Sequence, residues 1–243
     1  MARNQRAMSE RLHILVTGAS RGIGAAIVGA LEDQRVVGHS SKGDGGTIAA
    51  DLGEPGVAEG LWAEALARLD GRIDVLVNNA GMFEAAPLAL DHAEWVAAWE
   101  RTQRVNLTAS AELCRLAVRH FRDRGGGGRI VNVASRAAYR GDSPDHWHYA
   151  ASKAGMIGMT KSIARAYAGE GIYAFAVCPG FTVTGMVDDY LASRGGVAAL
   201  GELPLGRPAT PVEIAEIVRW LATGAPASAT GAIVDANGAS YVR

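Results

Sequence analysis

The sequence predicts an α/β protein with a seven-stranded, mostly parallel sheet and helices on both faces. Three observations predict it. Short Val- and Ile-rich runs alternate along the chain with longer segments whose apolar residues recur at three and four spacing, such as Val57, Leu61, Ala65 and Leu69. No internal repeat or low-complexity linker interrupts that alternation, which belongs to doubly wound sheets. Finally, 243 residues at 49% hydrophobic are enough for one substantial core, and folds of this class and size form a single domain.

Each element follows in order. The start, MARNQRAMSERLH, is polar and basic, so residues 1–10 are expected to form a flexible extension and 11–243 the domain. The apolar HILV after it is too short for a secretory core or a membrane span, which predicts a cytoplasmic protein. LHILVT reads as the first strand and runs straight into the glycine-rich TGASRGIGAAI. RVVGH and GTIAAD read as the second and third strands, and SSKGDGG between them is too short and too Gly-rich for a helix, so this crossover is expected to be a loop. IDVLVNN, GRIVNVAS, IYAFAVC and GAIVDAN supply four more strands, with GGGG at 125–128 as a tight helix-to-strand connection. Ligands of such sheets bind at the carboxyl ends of the strands.

Charge and composition exclude several function classes. A net charge of −1 and a pI near 6.6 leave no electrostatic footprint for nucleic acid or an anionic membrane. Cys114 and Cys178 lie far apart without a CxxC pair, and the six histidines are scattered, so neither a disulfide framework nor a metal site is expected.

Two stretches carry chemistry. Gly18, Gly22 and Gly24 sit between a strand and a helix start, where bare backbone N–H groups can approach a phosphate; the spacing is GxxxGxG, and a plain glycine turn would read the same in isolation. In HWHYAASKAG, Tyr149 and Lys153 are four apart and share one helical face. Protonating the alkoxide formed when a ketone takes up hydride needs a proton donor, and a nearby ammonium lowers the pKa of a phenol.

TGASRGIG at 17–24, NNAG at 78–81, VNL at 105–107, Ser135, YAASK at 149–153 and PGFTVT at 179–184 occur in the order and approximate spacing of the short-chain dehydrogenase/reductase family, which the chain resembles over nearly its whole length. The resemblance implies a Rossmann-type fold that uses a nicotinamide dinucleotide. It implies Tyr149 as general acid/base, Lys153 as its partner and a ribose ligand, Ser135 on the substrate carbonyl, and Asn106 at a helix kink that holds a relay water. Gly18, Ser20, Arg21, Gly22, Ile23 and Gly24 would cradle the phosphates. Asp51 and Leu52 would meet the adenine, although Asp51 reads equally as a helix N-cap before PGVAEG. Asn78, Asn79, Ala80 and Gly81 would line the adenosine side, and Pro179, Gly180, Thr182 and Thr184 the nicotinamide.

The second strand ends in His39, Ser40, Ser41 and Lys42, with no carboxylate to repel a 2′-phosphate, so NADP(H) is expected over NAD(H). The C-terminal part looks most like bacterial 3-oxoacyl-acyl carrier protein reductases, which implies a 3-oxoacyl thioester substrate, an acyl carrier protein partner and a homotetramer. Arg122, Arg124 and Arg129 around GGGG offer the carrier a basic surface, and Arg is also favourable at a helix end without any partner. Arg136, Tyr139, His146, Phe181 and Met186 are the candidate substrate contacts, beneath a lid at about 185–208. The insert between Ser135 and Tyr149 is one residue longer than in those reductases and carries Tyr139, Asp142, His146 and Trp147. This keeps a compact polar ketone open as the substrate. A non-catalytic dinucleotide sensor is the alternative from another class.

Overall fold

The computed structural model describes residues 11–183 and 203–243. The expected N-terminal extension, Thr184, Met186 and most of the expected lid lie outside the described residues.

The strands are β1 (His13–Val16), β2 (Arg35–Ser40), β3 (Ile48–Ala49), β4 (Val75–Asn78), β5 (Gly128–Val133), β6 (Ile172–Pro179) and β7 (Ile233–Ala236). They form one sheet in the order β3-β2-β1-β4-β5-β6-β7, and every neighbouring pair is parallel. The helices are α1 (Gly22–Ala30), α2 (Val57–Arg68), α3 (His92–Gln103), α4 (Ala109–Asp123), α5 (Ala137–Arg140), α6 (Trp147–Tyr167) and α7 (Pro211–Thr223). No described helix is long and apolar enough to cross a membrane.

Alternation along the central strands builds two cores. In β1, Ile14 and Val16 pack with Ile27 of α1 and Ile214, Val218 and Leu221 of α7, whereas Leu15 between them faces Leu61 and Trp62 of α2 and Leu113 and Phe121 of α4. Phe175 of β6 is fully buried on the α1/α7 side. Strand order reverses between β1 and β4, so the loops leaving their carboxyl ends part and open a crevice. The glycine loop leaves one side of it and NNAG the other.

The β2–β3 connection is a loop, as its composition predicts. It contains only a 3-10 turn at Asp44–Gly46, and β3 pairs with β2 through two residues, His39 to Ile48 and Ser40 to Ala49. The Ser40 hydroxyl organises the turn by accepting the N–H groups of Gly43 (2.9 Å) and Asp44 (3.2 Å) and pairing with Thr47 (2.8 Å). The N-cap reading of Asp51 is corrected: α2 begins six residues later with Gly56 at its cap, and the Asp51 carboxylate instead accepts the Gly53 N–H at 2.9 Å. At α7 the chain places Thr210, Pro211 and Glu213 as a complete capping box with proline in the first turn.

Candidate active site

The glycine loop is shaped by close approach. Gly18 has φ +66°, and a Cβ there would stand 2.8 Å from Ala80 Cα; one on Gly24 would stand 2.0 Å from the Gly18 carbonyl oxygen. NNAG grips the same loop. The Asn79 side-chain amide donates to the carbonyls of Thr17 and Gly18, both at 3.0 Å, while the Thr17 hydroxyl accepts the N–H groups of Asn79 and Ala80, both at 3.0 Å. The first turn of α1 contains no acidic residue and has backbone donors that no helical carbonyl can reach. A loop whose glycines let its backbone close on itself and on Ala80, ahead of helix-end amides that no helical carbonyl can reach, fits the pyrophosphate of a dinucleotide.

Of the residues expected around the adenosine, Ser20, Arg21, Ser41 and Lys42 are exposed, while His39 and Ser40 are buried with internal partners. Asn78 also points inward, donating to Asn132 at 2.9 Å within the core. Thr182 is buried after Pro179 and Gly180, and its hydroxyl donates to the Gly180 carbonyl at 3.3 Å.

Helix α6 carries Tyr149 and Lys153 at the carboxyl ends of β4 and β5. The α3–α4 rod passes beside it and is interrupted at Arg104–Thr108 by a π-helical turn, a feature concentrated at functional sites. Asn106 of that turn is fully buried. Its oxygen accepts the Met82 N–H at 2.8 Å, and its amide donates to the Met82 carbonyl at 3.0 Å and to Ser152 Oγ at 3.1 Å. Ser152 in turn donates to the Tyr149 carbonyl at 2.7 Å, which ties the π turn to the tyrosine's own turn of helix.

Lys153 is buried, with Nζ donating to the Val133 carbonyl at 3.0 Å and standing 5.8 Å from the centre of the Tyr149 ring. A Cβ on Gly81 would stand 3.3 Å from Nζ and 3.4 Å from Asn106 Oδ1, so the glycine leaves space where lysine and asparagine converge. Burial lowers the Lys153 pKa from 10.5 to about 8. Burial also raises that of Tyr149 to about 12, against the lowering effect of its hydrogen bond with Ser135. The sequence reading has the ammonium lowering the phenol's pKa; in this arrangement desolvation dominates, and the phenol is fully protonated at neutral pH.

The expected substrate contacts divide. Arg136 stacks on Phe181 with 4.2 Å from guanidinium to ring centre, and bonds Ser240. His146 lies flat on Phe83 at 3.9 Å and 4°, and Phe83 meets Tyr149 edge-on at 4.8 Å. Tyr139 turns away to the C-terminal tail, where its hydroxyl accepts from Arg243 at 2.7 Å and its ring stacks on Tyr241. Trp147 is 51% exposed and packs edge-on against Trp95. Phe83 is the residue that the sequence reading missed. Its signal was an aromatic two places beyond NNAG, on the ligand side of the sheet.

A parallel α/β sheet with a glycine cradle at its reversal and a Ser–Tyr–Lys cluster beside it defines a dinucleotide-dependent oxidoreductase class. The comparisons with known proteins agree. The sequence model of the family described as enoyl-(acyl carrier protein) reductase matches residues 18–238. The chain is 36% identical to the 3-oxoacyl-[acyl-carrier-protein] reductase FabG of Vibrio cholerae, covering 94% of this chain and 96% of that one. It is 35% identical to the acetoacetyl-CoA reductase of Shinella zoogloeoides, covering 93% and 97%. A solved structure described as an NAD(P)-dependent gluconate 5-dehydrogenase of Beutenbergia cavernae with bound NADP superposes with a TM-score of 0.82 at 30% identity, covering 96% and 97%. The chain belongs to the short-chain dehydrogenase/reductase family, oxidoreductases that bind a nicotinamide dinucleotide.

Proposed function

We propose that the protein is an NADP(H)-dependent reductase of a 3-oxoacyl thioester with a short acyl chain. The observation that carries this reading is the Tyr149 hydroxyl bonded to Ser135, with Lys153 Nζ 5.8 Å from the centre of the tyrosine ring. Bound NADPH would supply the hydride. Ser135 would orient the substrate carbonyl, Tyr149 would deliver the proton to its oxygen, and Lys153 would hold the ribose and the charge balance. Asn106, fixed by Met82 and Ser152, would hold the relay water behind the lysine.

The preference for NADP(H) is supported by a β2 terminus without a carboxylate and by exposed Ser41, Lys42 and Arg21 around it. Direct phosphate contact is assigned to those three rather than to Ser40, whose hydroxyl the β2–β3 turn already uses. A small thioester is favoured over docking of a carrier protein at the GGGG turn. Arg124 there donates to Asp74 at 2.8 Å, and Arg129 to the carbonyls of Leu221 and Ala225 at the end of α7. A homotetramer is proposed by analogy with the family, and a monomer by light scattering at micromolar concentration would refute it.

A second reading, a compact polar ketone, is favoured by the Phe83–His146 stack over Tyr149, which narrows the approach for a long chain. One panel tests both: initial rates of NADPH and NADH oxidation with acetoacetyl thioesters, longer 3-oxoacyl thioesters and polar cyclic or polyhydroxy ketones. The first reading expects the highest kcat/KM with NADPH and the acetoacetyl thioester. Turnover confined to polar ketones would replace it with the second. Tight dinucleotide binding with no turnover would indicate a sensor instead of an enzyme.

A further inference from the structure

The end of β2 carries a histidine with an unusual amount of backbone under its control. His39 is 2% exposed. Its Nδ1 lies 3.3 Å from the Gly18 amide nitrogen and its Nε2 lies 2.8 Å from the Ala50 carbonyl oxygen. A carbonyl only accepts and an amide N–H only donates, so the two contacts fix one form of the ring: neutral, with hydrogen on Nε2 and a lone pair on Nδ1. The His39 carbonyl also accepts the Ala19 N–H at 2.7 Å.

These contacts span the nucleotide end of the crevice. Gly18 belongs to the loop whose carbonyls Asn79 holds from the other side. Ala50 leads directly into Asp51 and Leu52, the segment expected against the adenine. We propose that His39 is a positioning residue: its neutral ring fixes the separation between the glycine loop and the segment after β3, and so sets the affinity for the dinucleotide. It does this from behind the backbone, without its imidazole touching the 2′-phosphate. The inference rests on the dinucleotide-binding reading above and adds to it which residue holds the two walls in register.

Protonation would break the arrangement, because an imidazolium presents N–H at both ring nitrogens and sets one of them against the Gly18 N–H. Around the ring, the charged group that bears on it is Asp51, which favours the imidazolium; burial opposes that more strongly and keeps the pKa below 6.5. Arg21 on the glycine loop and Lys42 after β2 are exposed to solvent. Affinity is therefore held at neutral pH and lost as pH falls through the ring's lowered pKa.

The test is dinucleotide binding followed by fluorescence titration between about pH 5 and pH 8.5, on the full-length wild type and on His39→Gln and His39→Leu. Gln keeps one donor and one acceptor but does not titrate, whereas Leu removes both contacts. The wild-type Kd is expected to weaken by about tenfold or more toward acid, His39→Gln to show a flat profile, and His39→Leu to bind about tenfold more weakly at every pH. Imidazole ¹⁵N spectra of the dinucleotide-free protein supply a second readout, and the His39 signals should report hydrogen on Nε2 alone at neutral pH. An Nδ1–H form, or a His39→Gln profile that keeps the acid loss, would overturn the proposal. If the wild type bound no dinucleotide at any pH, the functional reading and this inference's affinity claim would both fall. The ¹⁵N spectra would then still decide whether the ring bridges the two backbones.

Discussion

Replacing Lys153 by Met should make the protein more stable and much less active. Met keeps most of the side chain's length and apolar stem but removes a cation held in a dry cleft. The lysine's pKa falls from 10.5 to about 8 on burial, and at about 1.4 kcal/mol per unit the fold bears a cost of about 3 kcal/mol for keeping it charged at pH 7. The substitution also deletes the bond from Nζ to the Val133 carbonyl, worth about 1 kcal/mol. The balance is a gain of about 2 kcal/mol, or about 4–8 °C in Tm for a chain of this size. The pH dependence has a definite sign. The cost is fully present below about pH 8 and shrinks as pH rises through 10.5, above which folded and unfolded lysines are both neutral, so the advantage of the variant should fade across that window. Calorimetry on the dinucleotide-free proteins at several pH values, with steady-state rates on the same samples, makes the comparison. Activity should fall at least about a hundredfold. A variant less stable than wild type at pH 7 would refute the reasoning, since it would mean the ammonium has compensation that its surroundings do not reveal.

Tyr149→Phe removes one hydroxyl and its bond to Ser135. It should lower kcat by about 10²–10⁴-fold while leaving the dinucleotide Kd little changed, and single-turnover rates above a tenth of wild type would overturn the assignment. Gly24→Ala puts a Cβ 2.0 Å from a backbone oxygen, an overlap that no rotamer relieves. Dinucleotide titration should show a loss of at least tenfold, and thermal melting a destabilisation of about 1–3 kcal/mol; wild-type behaviour would mean the loop is free to move. Ala239 has φ +60°, a backbone conformation that favours glycine, so Ala239→Gly should stabilise by about 1 kcal/mol, read as a rise of about 2–4 °C in Tm, and a fall would show the strain to be absent.

The seven strands were legible because buried parallel strands leave continuous Val and Ile runs, and the short β2–β3 loop because its glycines disqualify a helix. The shared face of Tyr149 and Lys153 followed from their spacing, and their roles only from the glycine loop, Ser135 and the family resemblance taken together. What sequence did not carry was the direction of side chains at strand ends. Strand alternation gives a residue one of two faces, and at the last residue both faces border backbone; His39 and Ser40 therefore read as phosphate contacts while their polar atoms turn to internal partners. The direction of Tyr139 was hidden for a related reason. It sits on a single turn of helix whose orientation is set by Tyr241 and Arg243, about a hundred residues away in sequence. The balance of forces on Tyr149 was likewise invisible, since desolvation depends on what surrounds the ring.

The π turn at Arg104–Thr108 makes this stretch sensitive to length as well as to identity. Each residue of a regular α-helix advances the backbone by about 100°, and a π turn absorbs one residue beyond that pitch. Deleting one residue between 104 and 108 would remove the one the turn absorbs, so the rod would relax to uniform pitch with α4 still seated, and Asn106 would lose its place between Met82 and Ser152. Adding a residue there, with no second widened turn to absorb it, would instead rotate α4 by that angle, swinging Leu113, Ala117 and Phe121 out of the core and Arg115 and Arg119 toward it. The β2–β3 loop can lengthen or shorten at the edge of the sheet without such a penalty. Here the number of residues is itself part of the design, acting as a phase setting that keeps Asn106 facing Ser152 while the rest of the helix stays seated against the sheet.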